Sequence, residues 1–189
     1  MRVIAGTARR LLLKTPEGLD IRPTTDRIKE TLFNILQTDI PGSVFFDLFS
    51  GSGGIGIEAL SRGAKKAYFV DNTSKAIACI QQNLATTRLA DQAVVLKQDV
   101  CSALEGIARR GKGEQADIIF MDPPYDCGEE KAALAVLGRM PYVTEDTIVI
   151  VEASLKTDFA YAEAFGFVVE REKCYRTNKH VFLRKRISL

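Results

Sequence analysis

The sequence predicts one α/β domain built on a mostly parallel, seven-stranded sheet, and three observations predict it. Short apolar runs at 44–49, 67–70, 93–96, 116–121 and 147–152 alternate with helical patterns, which calls for parallel strands joined by right-handed crossovers. Two further apolar runs, 167–176 and 180–185, are separated by a short polar turn and read as a closing antiparallel hairpin. The chain of 189 residues is 46% hydrophobic and 26% charged, enough for one core that needs no disulfide or metal to hold it.

Each element has its own signal. Residues 1–14 read as a strand or hairpin arm, and Thr15-Pro16-Glu17-Gly18 as a turn. In 22–36, Pro23 suits a first helical turn and Thr24 or Thr25 can cap it. Ile28, Leu32, Ile35 and Leu36 recur at helical spacing, and Pro41-Gly42 stops the helix. The run VFFDLF is nearly continuous, as expected of a strand buried on both faces. Helices are expected at 55–62, 74–88, 100–110 and 129–138, with 177–179 as the turn of the last hairpin. Residues 1–40 are expected to form a hairpin-plus-helix extension, and 41–189 the main domain.

Composition excludes several classes. No stretch approaches the ~20 apolar residues of a membrane span, and the N-terminus lacks the apolar core of a signal peptide, so a cytoplasmic protein without membrane contact is expected. Cys79, Cys101, Cys127 and Cys174 form no C-x-x-C pair and stand beside a lone histidine, His180. No metal is expected, and the cysteines read as buried structural thiols. His180 reads as structural or surface rather than catalytic, with no partner acid visible in sequence. A methyl-accepting or redox role for Cys127 has no supporting spacing.

The net charge of +2 is uneven. Residues 1–14 carry four basic residues and no acid; residues 171–189 carry seven basic residues against Glu172. The intervening body holds 15 basic and 23 acidic residues, a balance of −8. Basic ends around an acidic body suggest a polyanion footprint, and solvated tails are the alternative.

Ligands of parallel sheets bind beyond the carboxyl ends of the strands. Four aspartates stand there: Asp47, Asp71, Asp99 and Asp122. Between the first strand and its helix lies Gly51-Ser52-Gly53-Gly54-Ile55-Gly56, with Asp71 20 residues after Gly51, a spacing shared with dinucleotide-binding loops. Asp47 decides against that ligand. A carboxylate beside the loop repels pyrophosphate and attracts an ammonium or sulfonium group. S-adenosylmethionine carries both cations and no phosphate. Asp71 can accept its ribose hydroxyls, Asp99 its adenine amine, and the helix after the loop its carboxylate. Residues 76–80 read as core-facing helix.

Asp122-Pro123-Pro124-Tyr125 directly follows the fourth strand. The exocyclic amine of a base is a poor nucleophile because its lone pair is delocalised into the ring. The Asp122 carboxylate and the Pro123 carbonyl, held by the stiff diproline, can accept its two N–H bonds and turn the lone pair outward. Tyr125 offers a stacking face for an extruded base.

These features in this order resemble the class I methyltransferases that modify amino groups of nucleic acids. The opening VIAGTARRLLLKTPEG followed by RPTTDRIKETLFNIL is similar to the bacterial family that methylates the N2 amine of a guanine in 16S ribosomal RNA, small-subunit methyltransferase D. The resemblance covers essentially the whole chain. It implies a Rossmann-like class I fold, S-adenosylmethionine as donor and S-adenosylhomocysteine as product. Asp122, Pro123, Pro124 and Tyr125 are then the catalytic set. Asp47, Phe49, Gly51, Gly53, Asp71, Asn72, Asp99 and Val100 are the donor contacts, with Thr24 folded over the donor's methionine end. Other members can carry Glu at the position of Asp71. Arg9, Arg10, Arg22 and Arg27 become candidate RNA contacts. The expected partner is 16S ribosomal RNA in the small subunit or an assembly intermediate, met by a monomer. The alternatives are an adenine-N6 methyltransferase of DNA or RNA, and a nucleotide-binding module without chemistry. A DNA enzyme of that kind usually adds a target-recognition module, for which ~40 N-terminal residues leave little room.

Overall fold

The computed structural model describes residues 1–16, 26–110, 114–125 and 127–186. The expected helix start at Arg22 to Thr25 lies outside those residues. Described helices are α1 (Asp26–Ile35), α2 (Gly54–Ser61), α3 (Ser74–Thr87), α4 (Val100–Arg110) and α5 (Glu129–Leu137). The strands are β1 (Val44–Leu48), β2 (Lys66–Asp71), β3 (Ala93–Lys97), β4 (Ile118–Met121), β5 (Ile148–Ser154), β6 (Phe167–Cys174) and β7 (Asn178–Lys185). They form one sheet in the order β3-β2-β1-β4-β5-β7-β6. β1 to β5 pair in parallel, and β7 runs antiparallel to both β5 and β6.

The core lies on both sheet faces because the central strands alternate between them. Val44, Phe46 and Leu48 join Ile119, Met121, Val149 and Val151 against α4 and α5. Phe45 joins Ile118, Phe120, Ile150 and Phe182 on the opposite face with α1, α2 and α3. Val3, Ala8, Leu13, Leu32, Phe33 and Ile40 belong to this second cluster, so the described parts of the segment 1–40 share their core with the sheet.

The N-terminal arm is a bent hairpin. It has one bridge, Arg2 to Leu12, and hydrogen bonds from Val3 N to Leu11 O (3.0 Å) and from Leu13 N to Met1 O (3.0 Å). Glu58 of α2, fully buried, anchors it by accepting Ile4 N at 2.8 Å and Ala5 N at 3.0 Å. Lys29 and Arg62 complete that carboxylate's partners at 3.1 and 2.8 Å. By residue type alone, Asp26, Arg27, Lys29 and Glu30 read as a solvated helix face, and the structure corrects this: Lys29 is completely buried, with its ammonium also on Arg2 O at 2.5 Å. A buried lysine needs such partners, since its charge is costly to strip of water.

Two other expectations are corrected. Of the four cysteines only Cys79 is buried; Cys127 lies in an exposed loop and Cys174 on the outer edge strand β6. The last turn is 175–177. Asn178 and Lys179 are already in β7, paired with Ser154 and Ala153, and their side chains hold Glu152 and Glu172.

Candidate active site

The C-terminal ends of β1, β2, β4 and β5 build the candidate site. β1 ends in Asp47-Leu48, and the chain then turns sharply. Phe49 adopts φ 58°, a left-handed conformation that is rare for a bulky residue and marks a constrained position. Gly51 and Gly53 follow at φ 54° and 75°, where glycine carries no Cβ penalty. Ser50 ties the turn to β2, its hydroxyl accepting Val70 N at 2.9 Å. Asp71 closes it from the other side: one carboxylate oxygen accepts Gly51 N at 3.0 Å, the other Thr73 N and Oγ1 at 2.9 Å.

Asp47 lies under this loop with 2% of its surface exposed, and Oδ2 accepts Gly56 N at 2.8 Å. Gly56 is required there by space: a Cβ would stand 2.4 Å from Phe69 Cε1 and 3.1 Å from Asp47 Oδ2. Burial pushes the Asp47 carboxyl up to about 8, Asp71 adds to the rise and the Gly56 N–H opposes it. A carboxyl so placed gains most from a cationic ligand. Asp99 caps α4, its carboxylate accepting Ser102 N at 3.0 Å, and Val100 behind it is buried. Asn72 is exposed between β2 and α3. Ala76, Cys79 and Ile80 face the core, as the helical pattern predicted.

Asp122 follows β4, with its N–H toward Leu48 O at 3.4 Å. Its carboxyl is raised well above the ordinary range, first by burial, then by Glu152 and Asp47. Pro123 is buried, Pro124 is exposed, and Tyr125 is 43% exposed at the mouth. Arg9, Arg10 and Arg27 are exposed on the arm and α1, and Arg10 is itself left-handed at φ 72°. Arg22 and Thr24 lie outside the described residues. Among those residues no cluster of three or more His, Cys, Asp or Glu could hold a metal ion. No described helix is long and apolar enough to cross a membrane.

Sequence reading missed Glu152. It is 5% exposed at the end of β5, and its Oε1 accepts the Tyr125 hydroxyl at 3.3 Å and Asn178 Nδ2 at 2.5 Å. Its Oε2 meets His180 Nε2 at 3.1 Å. His180 is fully buried and has the partner acid that sequence did not show. The signal was present: Glu152 is the acid of the fifth apolar run, at the same rim as the four aspartates.

The protein-family model described as conserved hypothetical protein 95 matches residues 1–184. The putative rRNA methyltransferase YlbH of Bacillus subtilis is 37% identical over 187 residues, covering 98% of this chain and all of that one. Ribosomal RNA small subunit methyltransferase D of Escherichia coli K12 is 32% identical over 173 residues, covering 92% of this chain and 84% of its own. A solved structure described as the putative methyltransferase yhhF from Escherichia coli superposes with a TM-score of 0.82 at 30% identity, covering 100% of this chain and 99% of that chain.

Proposed function

The chain belongs to the conserved hypothetical protein 95 family, which includes the small-subunit methyltransferase D enzymes, and from that premise we propose that it methylates the exocyclic N2 amine of a guanine in 16S ribosomal RNA. The family is one of S-adenosylmethionine-dependent, Rossmann-like methyltransferases. The observation that carries the reading is the pairing of two carboxyls raised above the ordinary range, Asp47 buried under the glycine loop and the partly buried Asp122 beside it, with an exposed Tyr125 ring at the mouth.

The residues present fit the donor. Asp47 is a buried carboxylate suited to its cationic end, and Gly51, Gly53 and the Cβ-free Gly56 keep the loop open and close to β1. Asp71 Oδ2 accepts only Gly51 N and keeps a lone pair for a ribose hydroxyl, while Oδ1 is held by both Thr73 N and Thr73 Oγ1. Phe49, Asn72, Asp99, Val100 and Thr24 complete the proposed donor contacts. When bound, S-adenosylmethionine supplies a methyl group made electrophilic by its sulfonium.

The chain's own residues supply the rest. Asp122 and the Pro123 carbonyl accept the two N–H bonds of the amine and turn its lone pair away from the ring. The diproline holds that carbonyl stiffly. Tyr125 stacks on the base, and Asp122 receives the proton the amine sheds. Most of the rate gain comes from this positioning and from fixed dipoles. Arg9, Arg10, Arg22 and Arg27 engage phosphates around the target. An RNA already folded in a small subunit or its assembly intermediate is selected by shape.

The test uses methyl-labelled donor with 30S particles, free 16S RNA, tRNA and duplex DNA. Label is expected in 30S or 16S RNA and is recovered after digestion as N2-methylguanosine. Asp122→Ala abolishes transfer and retains donor binding by calorimetry. Label recovered in adenine, or in DNA alone, overturns the guanine reading; full activity of Asp122→Ala overturns the catalytic assignment.

A further inference from the structure

We propose that Glu152, clamped by His180 and Asn178, is a positioning residue for methyl transfer: it tethers the Tyr125 phenol and sets a fixed negative charge beside Asp122. The inference rests on the activity proposed above and assigns that site a support that the glycine loop and the Asp122–Tyr125 motif do not contain.

Strand register makes the arrangement. Glu152 pairs directly with His180 across β5 and β7. Met121 pairs with Val151 across β4 and β5, so Asp122, one residue on, lies level with Glu152. Phe120, Ile150 and Phe182 share the sheet face of α2, and the period of two carries Asp122, Glu152 and His180 to that same face. Phe120 abuts the His180 ring edge-on at 5.8 Å.

The polar contacts run in one chain from the mouth to the interior. Tyr125 Oη donates to Glu152 Oε1, and His180 Nε2 stands on Glu152 Oε2. Tyr175 Oη is 3.1 Å from His180 Nδ1. The tautomer with its proton on Nε2 serves both contacts: Nε2–H donates to Glu152, and Nδ1 accepts from Tyr175. Three donors thus converge on one carboxylate that is 5% exposed, while the Tyr125 ring it holds is 43% exposed. A buried acid that ends on an exposed aromatic at the proposed base-binding mouth suits orientation of that aromatic. The charged and titratable groups that face this row are Asp47 from β1, Asp122 and Tyr125 after β4, His180 from β7, Tyr175 from the connector, and Arg171 and Lys173 from β6, which pair with Phe182 and His180. Glu152 is one cause of the raised Asp122 carboxyl, after burial.

Glu152→Gln keeps the shape and removes the charge. Its amide offers one acceptor oxygen to three donors and turns an NH2 group on another of them. In labelled-donor assays on the RNA substrate, kcat is expected to fall about 10- to 100-fold, as misplacement at a reacting centre does, with donor affinity by calorimetry within about twofold. The acid limb of the rate profile moves to lower pH, because Asp122 loses a like-charged neighbour; a purely structural role would leave that limb in place. Tyr125→Phe, exposed and safe for folding, keeps the ring and loses the tether. It is expected to raise KM for RNA about three- to tenfold, and Glu152→Gln then adds less in its presence than alone.

A readout independent of activity is available because His180 is the single histidine of the sequence. Nitrogen-15 NMR of tag-free, histidine-labelled protein is expected to show the Nε2-protonated form, and Glu152→Gln to change it. Glu152→Gln with wild-type kcat and an unmoved acid limb overturns this inference alone, as does a His180 spectrum indifferent to the substitution. Wild-type protein that methylates none of the RNAs overturns the underlying activity, and this inference with it.

Discussion

Replacing Asp47 by asparagine separates the stability of this fold from its proposed function. The carboxyl is 2% exposed and pushed up to about 8, chiefly by burial. Its folded pKa lies above the unfolded value of 3.8, so the folded state holds the proton more tightly. The stability this contributes is fully present below pH 4 and is lost as pH rises through 8. A gap of roughly four units at 1.36 kcal/mol each sets a ceiling of about 5–6 kcal/mol. Asparagine keeps the shape, its Oδ1 can still accept the Gly56 N–H, and it does not ionise. Asp47→Asn is therefore expected to exceed the donor-free wild type at pH 8 by about 2–5 kcal/mol, and to match it near pH 4.5. Urea denaturation across that range reads the difference. Donor affinity moves the other way, falling about 10- to 100-fold, since a charge-assisted contact of ~1.5–3 kcal/mol is removed. Wild-type donor binding at pH 7 should also release a proton, visible as a calorimetric heat that depends on the buffer. Two stability curves that stay parallel from pH 4.5 to 8 would refute the reasoning, because they would show no protonated carboxyl at position 47.

Two further predictions address packing and charge. Gly56→Ala puts a methyl 2.4 Å from Phe69 Cε1; an overpacking cost of about 1–3 kcal/mol is expected by thermal melting, together with weaker donor binding as Asp47 shifts. Unchanged melting and affinity would show that α2 can move off β2 freely. Neutralising Arg9 and Arg10 together should flatten the dependence of log RNA affinity on log salt by about 1.4–1.8, one phosphate each, with kcat on saturating RNA unaltered. An unchanged slope would remove the arm from the RNA contact surface.

Much of the fold was legible because the strands are short apolar runs and the helices have one apolar face, both local patterns. The glycine loop and the four rim aspartates were legible for the same reason, since a position at a strand's carboxyl end can be read from the strand itself. Lys29 was not. It shares a buried helix face with Leu32 and Phe33, but a lysine reads as solvent-facing, and only the arm folding back over α2 brings its Arg2 carbonyl together with the Glu58 carboxylate of α2 to let it be buried. Cys127 and Cys174 misled in the opposite sense: cysteine is usually buried, yet one falls in a loop and the other on an edge strand.

The sequence alone determined the parallel α/β architecture, the glycine loop beneath which Asp47 lies, and the Asp122–Tyr125 segment at the end of β4, because each is a feature of a single contiguous stretch. Only the tertiary structure decided that Glu152 and His180 stand behind Tyr125. Residues 122, 152 and 180 become neighbours through the order β4-β5-β7 and its register, and pairing between strands that distant in sequence is set by packing of the whole sheet.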